Sequence, residues 1–249
     1  MVYVKPKLSV WERALLIAAI IRTLDEAYAA YAKKSGFKPE NITLADGTKA
    51  YWIGNPSAEK VLLWFHGGGY ALPQVKATSP LRGDSAGANL AIGVLSHMMH
   101  PHEDITPLDM GGGKLGSAIL LAPWCTFRTD YPSGTYNAKK DLVSASAGNR
   151  WSESFLGGKD RDGYNEPLSA SVDWWNGLED VVKEILICGG ADEVLADPIR
   201  ELGTKYKAVH KNTTVVIAEG EWHDMPTLDS LGGGGQQDAA IKSFVKSRL

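Results

Sequence analysis

The sequence contains few cysteines and little net charge, and each shortage argues against a class of protein. Its two cysteines, Cys125 and Cys188, both lie at the ends of apolar runs, which is typical of small buried side chains rather than of a disulfide framework. The formal net charge of −3 gives no electrostatic reason to expect binding to nucleic acid or to an anionic membrane surface. We therefore predict no nucleic-acid partner.

Long apolar runs are also missing. The longest near the N-terminus covers residues 14–21 between two arginines, far short of the roughly 20 apolar residues that a membrane span needs. The chain does not open on the basic and apolar pattern of a signal peptide. We expect a cytoplasmic protein without a transmembrane segment.

What the sequence does contain is an alternation of apolar runs and helical patterns. An N-terminal helix is predicted over residues 9–33, and a hairpin over 41–53 around the turn Asp46-Gly47. Continuous apolar runs predict buried strands at residues 61–65, 118–122, 185–188 and 215–218, and helical patterns follow at 86–99, 174–182, 197–209 and 236–245. Strands that alternate with helices favour a doubly wound, mostly parallel sheet with helices on both faces.

Ser85 is the candidate nucleophile. Ligands of parallel α/β sheets bind beyond the carboxyl ends of the strands, so catalytic residues should directly follow strands. The pentapeptide Gly83-Asp84-Ser85-Ala86-Gly87 has the G-x-S-x-G form and opens a predicted helix. In such an elbow the flanking glycines make room for a serine on a sharp turn. Read alone, the same residues would equally fit a helix cap in a glycine-rich turn.

His223 is the candidate base, reached by elimination among six histidines. His97, His100 and His102 follow the helix after Ser85, and His210 precedes a strand, so these four lie at the opposite edge of the predicted sheet. His66 belongs to the run His66-Gly67-Gly68-Gly69 and is expected to anchor that loop. Only His223 follows a strand without another role.

The acid that orients the histidine should also follow a strand. The run at 185–188 leads through two glycines and an alanine to Asp192 and Glu193. We prefer Asp192, with Glu193 as the alternative, whereas Asp197 before Pro198 is typical of a helix N-cap. The order Ser85, Asp192, His223 is the triad order of α/β-hydrolases.

No metal or cofactor is predicted. His97, His100 and His102 together with Glu103 match no spacing that is typical of a metal site.

Four motifs together resemble the hormone-sensitive-lipase-like carboxylesterase group of the α/β-hydrolase superfamily. They are His66-Gly67-Gly68-Gly69-Tyr70, Gly83-Asp84-Ser85-Ala86-Gly87-Ala88-Asn89-Leu90, Asp192-Glu193-Val194-Leu195-Ala196-Asp197-Pro198 and Trp222-His223-Asp224-Met225-Pro226. The resemblance extends from about residue 43 to the end of the chain.

The resemblance implies an α/β-hydrolase fold with a helical cap and a Ser85–His223–Asp192 triad. It also implies an oxyanion hole formed by the N–H groups of Gly68, Gly69 and Ala86. The whole chain, 1–249, would form one such domain, with the cap built from residues 1–38 and 126–165.

One departure from the family pattern is large. Only residues 71–82 separate Tyr70 from Gly83, whereas the family places two helices and two strands there. A parallel connection needs a dozen or more residues besides its strands. Either residues are missing from this stretch of the sequence or the connection is truly shortened, and we favour the first.

The sequence thus predicts a serine carboxylesterase that hydrolyses short- to medium-chain acyl esters through an acyl-enzyme. Its substrate would be a small-molecule ester, and a homodimer is the assembly considered. Trp124, Trp151 and Trp222 lie near active-edge loops and, with Tyr70, are the candidate substrate contacts. An amidase or deacetylase with the same triad is one alternative, and a non-catalytic small-molecule receptor on the same fold is the other.

Overall fold

The computed structural model describes residues 24–44, 47–55, 57, 61–70, 83–227 and 234–247. The first part of the predicted N-terminal helix and the short connection at 71–82 lie outside these residues. Within the described ranges, no helix is both long enough and apolar enough to cross a membrane.

A parallel sheet carries the fold. In the described part of the chain its strands are β3 (Gly83–Asp84), β4 (Ala118–Leu121), β5 (Ile185–Gly190) and β6 (Thr213–Ala218). They pair in the order β3-β4-β5-β6, and every neighbouring pair is parallel. Ile187 of β5 lies between Leu120 of β4 and Val215 of β6 in the register. The carboxyl ends of β3, β5 and β6 therefore point to one edge of the sheet.

Helices cover both faces of this sheet, as the sequence predicts. The longer ones are α2 (Ala86–Met99), α6 (Ala196–Val209) and α7 (Gln236–Lys246). Alternate strand residues point to opposite faces. On one face, buried side chains of β4 and β5 pack with α2 and α6, and on the other with Ile241 and Phe244 of α7. Both cysteines are buried, and neither forms a disulfide.

A separate antiparallel pair precedes this sheet. β1 (Glu40–Thr43) pairs with β2 (Lys49–Trp52), which confirms the predicted hairpin. The helix α1 (Leu24–Ser35) packs beside it through Tyr28, whose hydroxyl oxygen donates to the Trp52 carbonyl at 2.6 Å and accepts from the Glu40 N–H at 2.7 Å.

The predicted buried strand at 61–65 is wrong. Only Phe65 makes a parallel bridge, to Gly83, within the described residues. The side chains of Val61 and Leu63 are 60% and 55% exposed. An apolar run indicates burial only where other elements pack over it, and nothing in the described chain covers these two side chains.

The irregular region after β4 contains two helices, α3 (Pro132–Tyr136) and α4 (Ala145–Leu156). The Ser144 hydroxyl accepts a hydrogen bond from Ala147 N at the start of α4, and Gly157 ends it with a φ of 55°. A 3₁₀ turn, Val172–Trp175, and the short helix α5 (Leu178–Val181) precede β5 and stand where one helix is predicted at 174–182. The role of 126–165 as a cap stays a prediction.

Candidate active site

Ser85 sits on a strained turn between β3 and α2. Its φ of 53° and ψ of −117° are unusual for a residue with a side chain. The turn is possible because Gly87 lies directly against the backbone of Phe65 and His66, where a Cβ would collide with main-chain atoms. Ser85 N donates to the Leu121 carbonyl at 2.9 Å, and the Ser85 carbonyl accepts from Trp124 N at 3.1 Å. The neighbouring strand thus holds the serine in place.

A chain of hydrogen bonds joins three side chains that follow three different strands. His223 Nε2 lies 2.8 Å from Ser85 Oγ, and His223 Nδ1 lies 2.7 Å from Glu193 Oε2. All three residues are buried, at 8% exposed for Ser85, 4% for His223 and 0% for Glu193. A hydroxyl, an imidazole and a carboxylate in this order form an arrangement that can activate a serine hydroxyl.

The carboxylate beside His223 belongs to Glu193 and not to Asp192, so the preferred sequence prediction is corrected by this geometry. Asp192 faces outward, where its side chain pairs with Lys140 at 2.7 Å. The reason lies in the turn after β5. Asp192 N donates to the Glu221 carbonyl, while Glu193 turns back under the strand end and accepts from Gly190 N.

Asp141 connects the loop that carries His223 to the turn that follows β5. Its carboxylate accepts hydrogen bonds from His223 N at 3.1 Å and from Val194 N at 2.7 Å. Asp141 is itself 2% exposed. No sequence motif pointed to this residue, because the contact with His223 joins positions 82 residues apart.

A second carboxyl group lies against His223. Asp224 Oδ2 is 3.3 Å from Nε2, the same nitrogen that faces Ser85, and Asp224 adopts a φ of 53°. Burial alone lowers the pKa of His223, but the negative charges of Asp224 and Glu193 outweigh burial and raise it above the ordinary value. Burial also raises the pKa of Asp224 well above its usual range. The charge of each of these two groups therefore acts on the pKa of the other.

The glycine run stands beside the serine. Gly67 N donates to the buried carboxyl group of Asp84 at 2.8 Å, and Trp64 Nε1 donates to the same group at 2.9 Å. Gly68 and Gly69 both have positive φ, at 112° and 60°. Gly69 lines the cavity next to Ser85. The assignment of an oxyanion hole to Gly68, Gly69 and Ala86 stays a prediction.

A largely apolar cavity opens in front of Ser85 and His223. The space in front of the two side chains, counted together with its opening to solvent, is about 580 Å³. Trp124 and Trp151, two of the predicted substrate contacts, line it. Sequence reasoning missed other lining residues, which come from the region after β4 and from the start of α6: Phe127, Tyr131, Val143, Ala145, Gly148, Leu195 and Pro198.

The other two predicted contacts lie elsewhere. Tyr70 stands behind the cavity wall and stacks on Phe155, with ring centroids 3.8 Å apart and planes 9° from parallel. It also stacks on Trp124 at 5.7 Å. Trp222 is half-buried and is not among the residues that line the cavity. Both residues flank the site without facing the space in front of Ser85.

The histidines in the last turn of α2 and just after it contact backbone groups. His97 Nε2 lies 3.2 Å from the Thr106 carbonyl, and His100 Nε2 lies 2.7 Å from the Trp174 carbonyl. Among the residues that the structure describes, no cluster of three histidine, cysteine or acidic side chains has the geometry of a metal site.

Comparisons with known proteins agree with this architecture. A family model described as α/β hydrolase fold matches residues 79–227, more than half of the chain. No curated protein matches the chain.

Solved structures of esterases share the fold at low sequence identity. EstE5 soaked with p-nitrophenyl butyrate is 20% identical with a TM-score of 0.66, over 95% of this chain and 98% of that one. An esterase of the bacterial hormone-sensitive lipase family is 20% identical with a TM-score of 0.64, over 97% and 99%. A mutant of the esterase rPPE, in a complex with (S)-Ac-CPA, is 18% identical with a TM-score of 0.69, over 98% of this chain and 91% of that one.

Proposed function

The chain belongs to the α/β-hydrolase fold family, and on that premise we propose that it is a serine carboxylesterase acting on short- to medium-chain acyl esters. The observation that carries the proposal is the chain of hydrogen bonds from Ser85 Oγ through His223 to Glu193. These side chains come from turns after β3, β5 and β6, at the edge where ligands of parallel sheets bind.

In the proposed reaction, His223 Nε2 takes the proton of Ser85 Oγ as that oxygen attacks the ester carbonyl. The Glu193 carboxylate accepts a hydrogen bond from Nδ1–H, which fixes the tautomer and stabilises the imidazolium. His223 then gives the proton to the departing alcohol. A water molecule, activated by His223, releases the acid from Ser85 and regenerates the hydroxyl.

The carbonyl oxygen of the ester gains negative charge when Ser85 attacks the carbonyl carbon. This charge needs hydrogen-bond donors placed around that oxygen. The turn at Gly68 and Gly69 and the start of α2 at Ala86 flank Ser85, and their N–H groups are the proposed donors. Preorganised backbone donors of this kind typically contribute about 10²–10³ in rate each.

The cavity supports an apolar acyl group as the recognised part of the substrate. Trp124, Phe127 and Trp151 bring aromatic faces to this space, and Arg128 is the lysine or arginine that lines it among the described residues. The Arg128 guanidinium pairs with Asp130 at 2.8 Å and is exposed, so the arginine is already matched by a carboxylate. An uncharged ester therefore fits this space better than an anionic one.

Gly148→Leu is expected to shorten the accepted acyl chain. Gly148 lies on α4 and lines the cavity, and a Cβ there would meet Trp124 at an ordinary 3.8 Å, so a larger side chain enters without collision at its root. We expect kcat/KM for p-nitrophenyl octanoate to fall about tenfold or more, because one methylene group in an apolar pocket is worth roughly 1–3 kcal/mol. Hydrolysis of the acetate should change less than about twofold on the same grounds.

The matched control for this variant is Asn149→Leu, which adds a leucine to the same helix at an exposed position outside the cavity. It should leave the octanoate-to-acetate ratio unchanged. An unchanged ratio in Gly148→Leu as well would place the acyl chain outside this cavity.

The test of the proposed function is hydrolysis of p-nitrophenyl esters from acetate to decanoate by the wild-type chain, together with a fluorophosphonate label read by peptide mass. Turnover with labelling at Ser85 supports the esterase. Turnover of anilides but not of esters would move the assignment to an amidase. Folded protein that neither turns over esters nor takes the label would favour a receptor.

Two finer expectations remain predictions. A homodimer would give twice the chain's 26.9 kDa in light scattering, and a cytoplasmic location would be read by cell fractionation.

A further inference from the structure

Two groups compete for one nitrogen of His223. Nε2 faces Ser85 Oγ at 2.8 Å and Asp224 Oδ2 at 3.3 Å. The nitrogen has a single position for a proton or a lone pair. When that position serves Asp224, it cannot fully serve Ser85.

Asp224 is held at this place by its own backbone. Its φ of 53° lies in the left-handed region, which aspartate tolerates better than most residues. The side chain is 14% exposed, and its second oxygen, Oδ1, is buried without a hydrogen-bond partner among the residues that the structure describes. A buried carboxylate with one unpartnered oxygen is unfavourable unless a proton neutralises it.

The groups around the pair are acidic. Glu193, from the turn after β5, contacts Nδ1 of His223, and Asp141, from the loop before α4, contacts the His223 backbone. Asp84, at the end of β3, also acts on Asp224 through its charge. Two cations of the site loops are paired with other carboxylates, Lys140 with Asp192 and Arg128 with Asp130. This surrounding negative charge favours retention of a proton between Nε2 and Oδ2.

The geometry points to Asp224 as a second carboxyl partner of His223 that shares one proton with Nε2 and so sets the pH at which Ser85 becomes active. This inference rests on the proposed esterase function and concerns the same site. With the shared proton present, Nε2 is occupied, whether the proton resides on the imidazole or on the carboxyl group. Loss of that proton to solvent frees the Nε2 lone pair to accept the Ser85 proton.

The direction of the effect follows from the charge of Asp224. A carboxylate beside an imidazole favours the protonated ring, which raises the pKa of His223, in agreement with the balance of charges at this site. Activity that requires the unprotonated imidazole of His223 therefore rises as the pH passes through this raised pKa. Removal of the carboxylate should move the rise to lower pH.

Asp224→Asn tests the inference, because asparagine keeps the shape and tolerates the same backbone conformation. We expect the acid limb of the kcat/KM profile for p-nitrophenyl butyrate to move down by about one to three pH units. In parallel, the ring signals of His223 in a two-dimensional NMR titration should move by the same amount. Asp224→Gly, which also accepts a positive φ and removes the whole side chain, should shift both profiles in the same direction.

Asp192→Asn is the matched control, since it removes a carboxylate from the same edge that pairs with Lys140 instead of His223. It should leave both profiles in place. Identical titration of His223 in the wild type and in both Asp224 variants would overturn the inference. The NMR titration reads the shared proton even if no ester is hydrolysed, so failure of the esterase assignment and failure of this inference are distinguishable.

Discussion

Replacement of Glu193 by glutamine is expected to lower kcat about 10⁴-fold, the scale of loss when the acid of such a triad becomes an amide. Glutamine can still accept from Gly190 N through its oxygen, which leaves its NH₂ group facing His223 Nδ1. A donor at that place favours the tautomer with Nδ1 unprotonated and Nε2 protonated. Nε2 can then no longer accept the Ser85 proton.

The matched control for Glu193→Gln is Asp192→Asn. Asp192 pairs with Lys140 at 2.7 Å, and the two side chains are 31% and 51% exposed, so loss of the pair should cost less than about 1 kcal/mol of stability. Its kcat for p-nitrophenyl butyrate should stay within about twofold of the wild type, since Asp192 does not contact His223. The reverse outcome, with Asp192→Asn inactive and Glu193→Gln active, would mean that Asp192 is the acid after all. Thermal unfolding checks that both variants fold.

Ligands of parallel sheets bind beyond the carboxyl ends of the strands, and this rule explains why the sequence predicts two of the three residues in the hydrogen-bonded chain Ser85–His223–Glu193. Ser85 and His223 each directly follow a strand, so topology alone brings them to one edge, and the family match confirms the α/β-hydrolase resemblance. The choice between Asp192 and Glu193 depends on the turn after β5. Adjacent residues of a turn point in different directions, and composition does not say which one faces the histidine.

Contacts between distant segments limited the prediction elsewhere. The region after β4 has little periodicity, yet α4 and its flanking loops provide Val143, Gly148 and Trp151 to the cavity. Asp141 reaches His223 across a large separation in sequence, and such a contact leaves no local pattern. The run at 61–65 shows the opposite failure. Its local pattern is that of a buried strand, but most of its side chains are exposed.

Ser85→Ala should abolish ester hydrolysis, with a fall in kcat of roughly 10⁶-fold, the scale seen when the nucleophile of a serine triad is removed. The variant is expected to fold, because the strain at this turn arises from a Cβ at a φ of 53°, and alanine carries the same Cβ. The backbone hydrogen bonds of residue 85 with Leu121 and Trp124 also remain. Thermal unfolding within a few degrees of the wild type would verify this.

The same variant separates an esterase from a receptor on this fold. Ser85 lines the cavity, but the aromatic walls come from Trp124, Phe127 and Trp151, which Ser85→Ala leaves in place, so tryptophan fluorescence should still report binding of a slowly hydrolysed ester. An esterase loses turnover in Ser85→Ala and keeps binding. A wild-type chain that binds with the same affinity as Ser85→Ala, and releases no alcohol from any ester, would be a receptor. Residual hydrolysis in Ser85→Ala at the wild-type rate would instead place the nucleophile on another residue, because alanine offers no oxygen to acylate.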